Sequence, residues 1–132
     1  MKLYTETQVA IASGVGSPLA GGILMAHNAS AVGAKSDARR YLFITVAATA
    51  VLLVVASLLP PLKTGNYLGP IIVAALMRLW FRKAQGGLIA AHPEATRASW
   101  WVALGIALLV TVCLLILLIG TFTLLDLVHP NV

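Results

Sequence analysis

Charge is what this sequence has least of. Lysine and arginine number 9, aspartate and glutamate 4, and charged residues make up 10 % of the 132. A soluble domain carries about 25 % charged residues. Cysteine is nearly absent too: Cys113 stands alone, which excludes an internal disulfide. There is no cluster of five basic residues and no basic stripe interleaved with aromatics, so nothing marks a nucleic-acid binder. Histidines do not occur in ligand-pair spacing such as H-x-x-x-H, so no metal centre is expected. No carboxylate lies deep within an apolar run. We therefore expect no catalytic residue and no cofactor.

Hydrophobic residues, by contrast, reach 60 %. A chain of this length cannot hide so much apolar surface from water, because small domains bury only part of what they expose. The expected solvent is lipid, and the expected class is all-α, a single transmembrane domain over residues 1–132. The net charge of +5 is then expected to reflect cytoplasmic loops. Lys2 and Glu6 precede the first apolar stretch, and no clear cleavage site follows. An uncleaved first helix is expected rather than a signal peptide.

Four apolar segments follow one another, and the spacing predicts helices over about 6–32, 37–59, 67–85 and 94–127. In the first, Thr5 and Gln8 have capping-box spacing, Tyr4 and Val9 occupy staple positions, and Gly33 suits the stop. Ser36 and Asp37 can cap the second, and Pro60-Pro61 ends it. The third is the shortest, with Asn66 as a cap, Pro70 in the first turn, Arg78 inside and Gly86-Gly87 as the expected stop. The fourth has no charge from Trp100 to Leu125. Pro93 and Glu94 suit an approach turn before it, and Asp126 and Pro130 mark its far end.

Charge favours four spans over three. With four, Lys35, Arg39, Arg40, Arg82, Lys83 and Arg97 share one side, and Arg78 can snorkel to it. Both termini then lie on the non-cytoplasmic side. If the third segment lay on the surface, most basic residues after Pro60 would face away from the first basic loop.

The run GVGSPLAGG, Gly14 to Gly22, holds four glycines, a serine and a proline. Gly16-x-x-x-x-Gly21 begins like a phosphate loop, but Gly22 and Ile23 stand where Lys and Ser/Thr belong. No strand precedes it. Small residues instead recur at four-residue intervals: Ala12, Gly16 and Ala20, and likewise Ser13, Ser17 and Gly21. Such faces let membrane helices approach closely, so the first segment is expected at the packing centre or at a subunit interface. Pro18 cannot donate to the Gly14 carbonyl, so a kink is expected there. A functional break, as in transporters, shares the same residues.

Tyr4, the stretch GSPLAGGILMAHN (Gly16 to Asn28) and Gly33 resemble the first helix of uncharacterised small bacterial inner-membrane proteins. The resemblance covers about a quarter of the chain. It implies a bacterial inner membrane and brings no activity with it. The carboxylate that small multidrug transporters carry within the first helix is missing. So are the asparagine of the second helix and the paired phenylalanines of the third found in fluoride channels.

Isolated polar residues have bland expected roles. Trp80, Trp100 and Trp101, with Arg78 and Arg82, read as membrane-interface anchors. Asp126 meets water at the outer end. His27, His92 and Glu94 share a side without metal spacing, and Ser17 has no base nearby. Asn28 can cap a neighbour or line a vestibule. Two functions are therefore expected from different classes. One is a non-enzymatic protein that binds another membrane protein or itself, as an accessory subunit or toxin-immunity protein. The other is a small homo-oligomeric channel or carrier whose path runs past Gly14, Ser17, Pro18 and Asn28.

Overall fold

The computed structural model describes residues 2–58 and 68–130. Their order is β1 (Lys2–Leu3), α1 (Glu6–Gly16), α2 (Pro18–Ala31), α3 (Lys35–Leu58), α4 (Leu68–Ala91), β2 (Thr96–Arg97) and α5 (Trp100–Val128). The all-α expectation holds. Asn66 and Pro60-Pro61, read as a cap and a stop, lie outside the described residues.

The first segment departs from expectation. It is not one helix over 6–32 with a kink. It is an antiparallel hairpin of α1 and α2, reversed at a single residue, Ser17. The outer ends of the hairpin are side by side: the Tyr4 amide donates to Asn28 Oδ1 at 2.8 Å, although the two are 24 residues apart. The reversal has a local cause. A residue before proline is pushed out of the helical region towards extended ψ, and Ser17 sits at φ 82° and ψ 167°. That region is close to glycine-only for an L-residue. Pro18 then serves as the first residue of α2, where its missing N–H costs nothing.

The hairpin is held together by small residues. A Cβ on Gly21 would lie 1.9 Å from Ser13 Oγ, so α1 and α2 touch where Gly21 has no side chain. The four-residue faces read from the sequence therefore do not run on past Ser17. Ser13 and Gly21 meet across the hairpin instead of lining up along one helix.

The hairpin is also the hub. Among the described residues, α3 packs on α2, while α4 and α5 pack chiefly on α1, and the three long helices hardly touch one another. Glycine permits each approach. A Cβ on Gly16 would come within 2.5 Å of the Ala107 carbonyl oxygen in α5, and one on Gly22 within 2.0 Å of Thr45 in α3. Gly14 faces the Pro70 carbonyl and Ala74 in α4. Ala12, Ala20 and Leu24 are buried in the common core with Ala103 and Ala107.

Other ends follow their chemistry. Thr5 and Gln8 form the expected capping box. Gly33, at φ 87°, ends α2 in a Schellman motif: Ala34 N–H donates to Ala29 O and Gly33 N–H to Ser30 O. Two boundaries differ from expectation. Gly86-Gly87 does not stop α4, which continues to Ala91. The approach to α5 is a turn and a short strand rather than a helix from 94. β2 pairs in parallel with β1, and Ala98 N–H donates to Leu3 O. The start of the chain thus sits beside the start of α5, whose 29 residues carry it about 43 Å away. The two ends of the described chain lie at opposite ends of the molecule, not together.

Ser17 is strained, and its hydroxyl makes no cap bond. Ser17→Gly is therefore expected to stabilise the protein by about 1–2 kcal/mol, the strain relieved less the added chain entropy of glycine. Thermal unfolding in detergent reads this as a raised midpoint. A lowered one would contradict the reversal.

Candidate functional site

The hairpin has two ends of opposite chemistry. Its open end, the base, is polar. Gln8, Asn28 and Gln85 are each at most 1 % exposed, and every one is committed to a partner. Asn28 Nδ2 donates to Tyr4 O at 2.9 Å and to Gln85 Oε1 at 3.3 Å. Gln85 Nε2 donates to Met25 O at 2.8 Å. Gln8 Nε2 donates to Ala98 O at 2.6 Å, while its Oε1 accepts from Thr5 N–H at 2.8 Å. These bonds tie α1, α2, α4 and the strand before α5 into one unit. Buried amides that are fully satisfied rigidify a core.

Asn28 is therefore not on a path with Gly14, Ser17 and Pro18. It lies at the base, whereas Ser17 and Pro18 form the tip at the other end of the hairpin. Gly14 lies against α4, away from Asn28. The structure splits that expected group in two.

Charge gathers near the base. Glu6 Oε1 accepts from Arg82 Nε at 2.8 Å and also from Arg78 Nε. The two guanidinium groups hold the Glu6 carboxyl below its ordinary range. Arg78 and Arg82, expected to anchor singly at an interface, are thus drawn onto one carboxylate. Burial pushes the Tyr4 phenol up. The His27 ring stands edge-on to Tyr4 at 5.2 Å and near the Lys2 carbonyl, while the His92 ring contacts Leu88 O at 2.9 Å. Neither joins a group of three metal-ligating side chains among the described residues. Trp80 packs edge-on against Tyr41 at 5.5 Å. Trp100 is half-buried, and Trp101 is 85 % exposed, the most exposed tryptophan.

The tip is where two helices end inside the molecule, and their free backbone groups must find partners. Leu19 N–H donates to Thr49 Oγ1 at 3.1 Å. Val15 O accepts from Thr111 Oγ1 at 3.3 Å. Thr45, one turn before Thr49, returns its own hydroxyl to Tyr41 O at 2.8 Å. The Ser13 and Ser17 hydroxyls are enclosed with no partner. Thr49, Thr111, Gln8 and Gln85 escaped the sequence reading as site residues. Their signal was polarity at i, i+4 or alone within apolar runs.

Beside the tip, between α3 and α4, lies an open cleft of about 740 Å³, bounded among the described residues by Ser17, Pro18, Ala48, Leu52, Val73, Leu114 and others. α1 and α2 have 11 and 14 residues, about 16 and 21 Å at 1.5 Å per residue. α4 begins about level with the tip, where Gly14 lies against Pro70 and Ala74, while α3 and α5 run on past it. Water is a poor filler, since a buried water needs polar partners and the cleft wall is almost wholly apolar.

Asn28→Ala is expected to cost about 1–3 kcal/mol, because it strands the buried Tyr4 amide and carbonyl. Chemical unfolding in detergent measures it, and a neutral result would mean the base is not closed by this amide. The Glu6 cluster adds an acid-side effect. A lowered folded value means its contribution is complete above the ordinary carboxylate range and lost as pH falls through the lowered value. The stability gap between the protein and Glu6→Gln should therefore be present at neutral pH and vanish in acid. No protein-family model, curated protein or solved structure matches this chain.

Proposed function

We propose that this chain is a non-enzymatic protein of a bacterial cytoplasmic membrane that acts by binding within the bilayer. In this reading α3, α4 and α5 cross the membrane, and the α1–α2 hairpin enters it from the base and returns. One observation carries the proposal: the three long helices face the hairpin and leave their other sides bare and apolar. α5, for example, exposes Leu109, Ile116, Leu117, Ile119 and Leu127 at more than 60 % each. Lys35–Val55 of α3 and the whole of α5 are long and apolar enough to cross a membrane. The hydroxyls of Thr121 and Thr123 are returned to the carbonyls four residues back, at 2.7 and 2.9 Å, a form suited to a lipid-facing helix.

The hairpin improves the charge argument for sidedness. Lys2 joins Lys35, Arg39, Arg40, Arg82, Lys83 and Arg97 at the base, which makes the base the cytoplasmic end. The N-terminus is then cytoplasmic and the C-terminus is not. α4 enters the lipid above the Glu6 pair, so its apolar part is short and the bilayer thins beside it.

A binding role suits this construction better than a channel. A path through the molecule would have to pass the base, where the Asn28 and Gln85 amides are already spent on each other and on the backbone. The partner class is another membrane protein, for which the chain serves as accessory subunit or immunity protein.

Sidedness is tested with Cys113→Ala as background and single cysteines at Lys2, Ala34, Ala95 and His129. A membrane-impermeant maleimide is expected to reach the first three from one side and position 129 from the other. Labelling of position 2 together with 129 would restore a spanning first helix. Gentle extraction followed by native mass measurement is expected to give a stoichiometric complex, and a lone chain would sink the binding role.

A further inference from the structure

We infer that the recess at the base, between the end of α4 and the β1–β2 pair, binds a phosphomonoester group. The site stands on its own residues. It needs neither the membrane reading above nor any protein partner.

The path of the chain makes the recess. α4 ends at Ala91, and a turn closed by Ala95 N–H on His92 O leads back to β2, where Arg97 pairs with Leu3. Thr5, His92, Thr96 and Arg97, together with Leu3 and Ile89, line a hollow of about 240 Å³.

The class of ligand follows from what three of these side chains still have to offer. Arg97 is exposed and forms no ion pair among the described residues. Its planar guanidinium matches a phosphate through parallel, bidentate bonds. Thr5 Oγ1 accepts from Gln8 N–H at 3.3 Å, which leaves the hydroxyl proton to donate. His92 Nδ1 lies 2.9 Å from Leu88 O. A carbonyl only accepts, so Nδ1 carries the ring proton and Nε2 is the atom left for a ligand. Lys2, opposite Thr96 in the strand pair, adds positive charge nearby. No carboxylate lines the hollow among the described residues. Glu94, in the turn, is exposed and outside the lining, and Glu6 is held by Arg78 and Arg82.

His92 decides which anion. A neutral Nε2 accepts a hydrogen bond and repels an oxygen that has no proton. A phosphomonoester exchanges its last proton near neutral pH, as an imidazole does. The two hold one proton between them in either arrangement: P–OH donates to the neutral ring, or the imidazolium donates to the dianion. Sulfate esters, carboxylates and phosphodiesters are already fully ionised in that range and have no proton to share. Ordinary diester phospholipids are thereby disfavoured. Phosphatidic acid and soluble phosphate esters share the required chemistry.

The test titrates the full chain in detergent with phenyl phosphate, and with phenyl sulfate as a probe of the same shape that brings no proton. Calorimetry is expected to show one site, with phenyl phosphate bound at least about tenfold more tightly than phenyl sulfate. Arg97→Gln is expected to weaken phenyl phosphate by about tenfold or more. His92→Phe is expected to abolish the preference for phosphate over sulfate, a change that a merely structural role would not produce. Lys83→Gln, which removes a charge of the base outside the hollow, is expected to leave the affinity unchanged. Should Arg97→Gln not fold, His92→Phe carries the test alone. Absent binding, equal binding of the two probes, or equal losses in Arg97→Gln and Lys83→Gln would overturn the site. Bilayer discs of phosphatidylcholine with and without phosphatidic acid then separate the sources. Displacement of phenyl phosphate by phosphatidic acid assigns the site to a lipid headgroup, and retention assigns it to a soluble ester.

Discussion

Everything in this fold depends on where the chain can afford to reverse its backbone. A reversal inside an apolar medium strands carbonyls at the end of one helix and amides at the start of the next, and each must be bonded or bear a cost of a few kcal/mol. Here the reversal is compressed to Ser17, and proline removes one amide from the account. Thr49 of α3 takes the Leu19 amide, and Thr111 of α5 serves the Val15 carbonyl. α3 and α5 are thus more than walls, since each brings a hydroxyl to the tip.

The same constraint explains the use of small residues. A hairpin whose two arms are joined by one residue must pack them almost in contact, which Gly21 permits against Ser13. It must then fit among three helices at once, which Gly14, Gly16 and Gly22 permit. Packing of this kind draws on van der Waals contact and not on escape from water. It works equally well where every surrounding surface is apolar. The amides at the base provide what such packing lacks, namely directional bonds that fix the register of α1 against α2 and of both against α4.

Much of this was legible in the residues, and the failures share one origin. Composition and apolar segmentation give the all-helical class. The Thr5–Gln8 box, the Gly33 stop and the crowding around Gly16 and Gly21 are local signals, and all appear in the structure. The reversal was missed because proline in an apolar helix is compatible with a kink as well as a turn. The choice between them lies in tertiary contacts: the Asn28–Tyr4 bonds and the threonine partners come from 24 to 96 residues away. The β1–β2 pairing is also long-range, two residues on each strand, too short to leave a pattern. The distribution of charge depends on the same reversal, which returns Lys2 to the base beside Thr96 and Arg97.

By turning back at Ser17, the described chain concentrates its hydrogen bonds and close contacts in the base half. Gln8, Asn28 and Gln85 close the base, and Gly14, Gly16 and Gly22 bring α4, α5 and α3 against the hairpin. Past Ser17 the described chain consists of the last turns of α3 and most of α5, whose side chains there are largely exposed and apolar. The free energy of such a molecule is distributed unevenly, because elements with few packed neighbours open most easily. The base half therefore holds the fold, with the reversal at Ser17 as its upper limit.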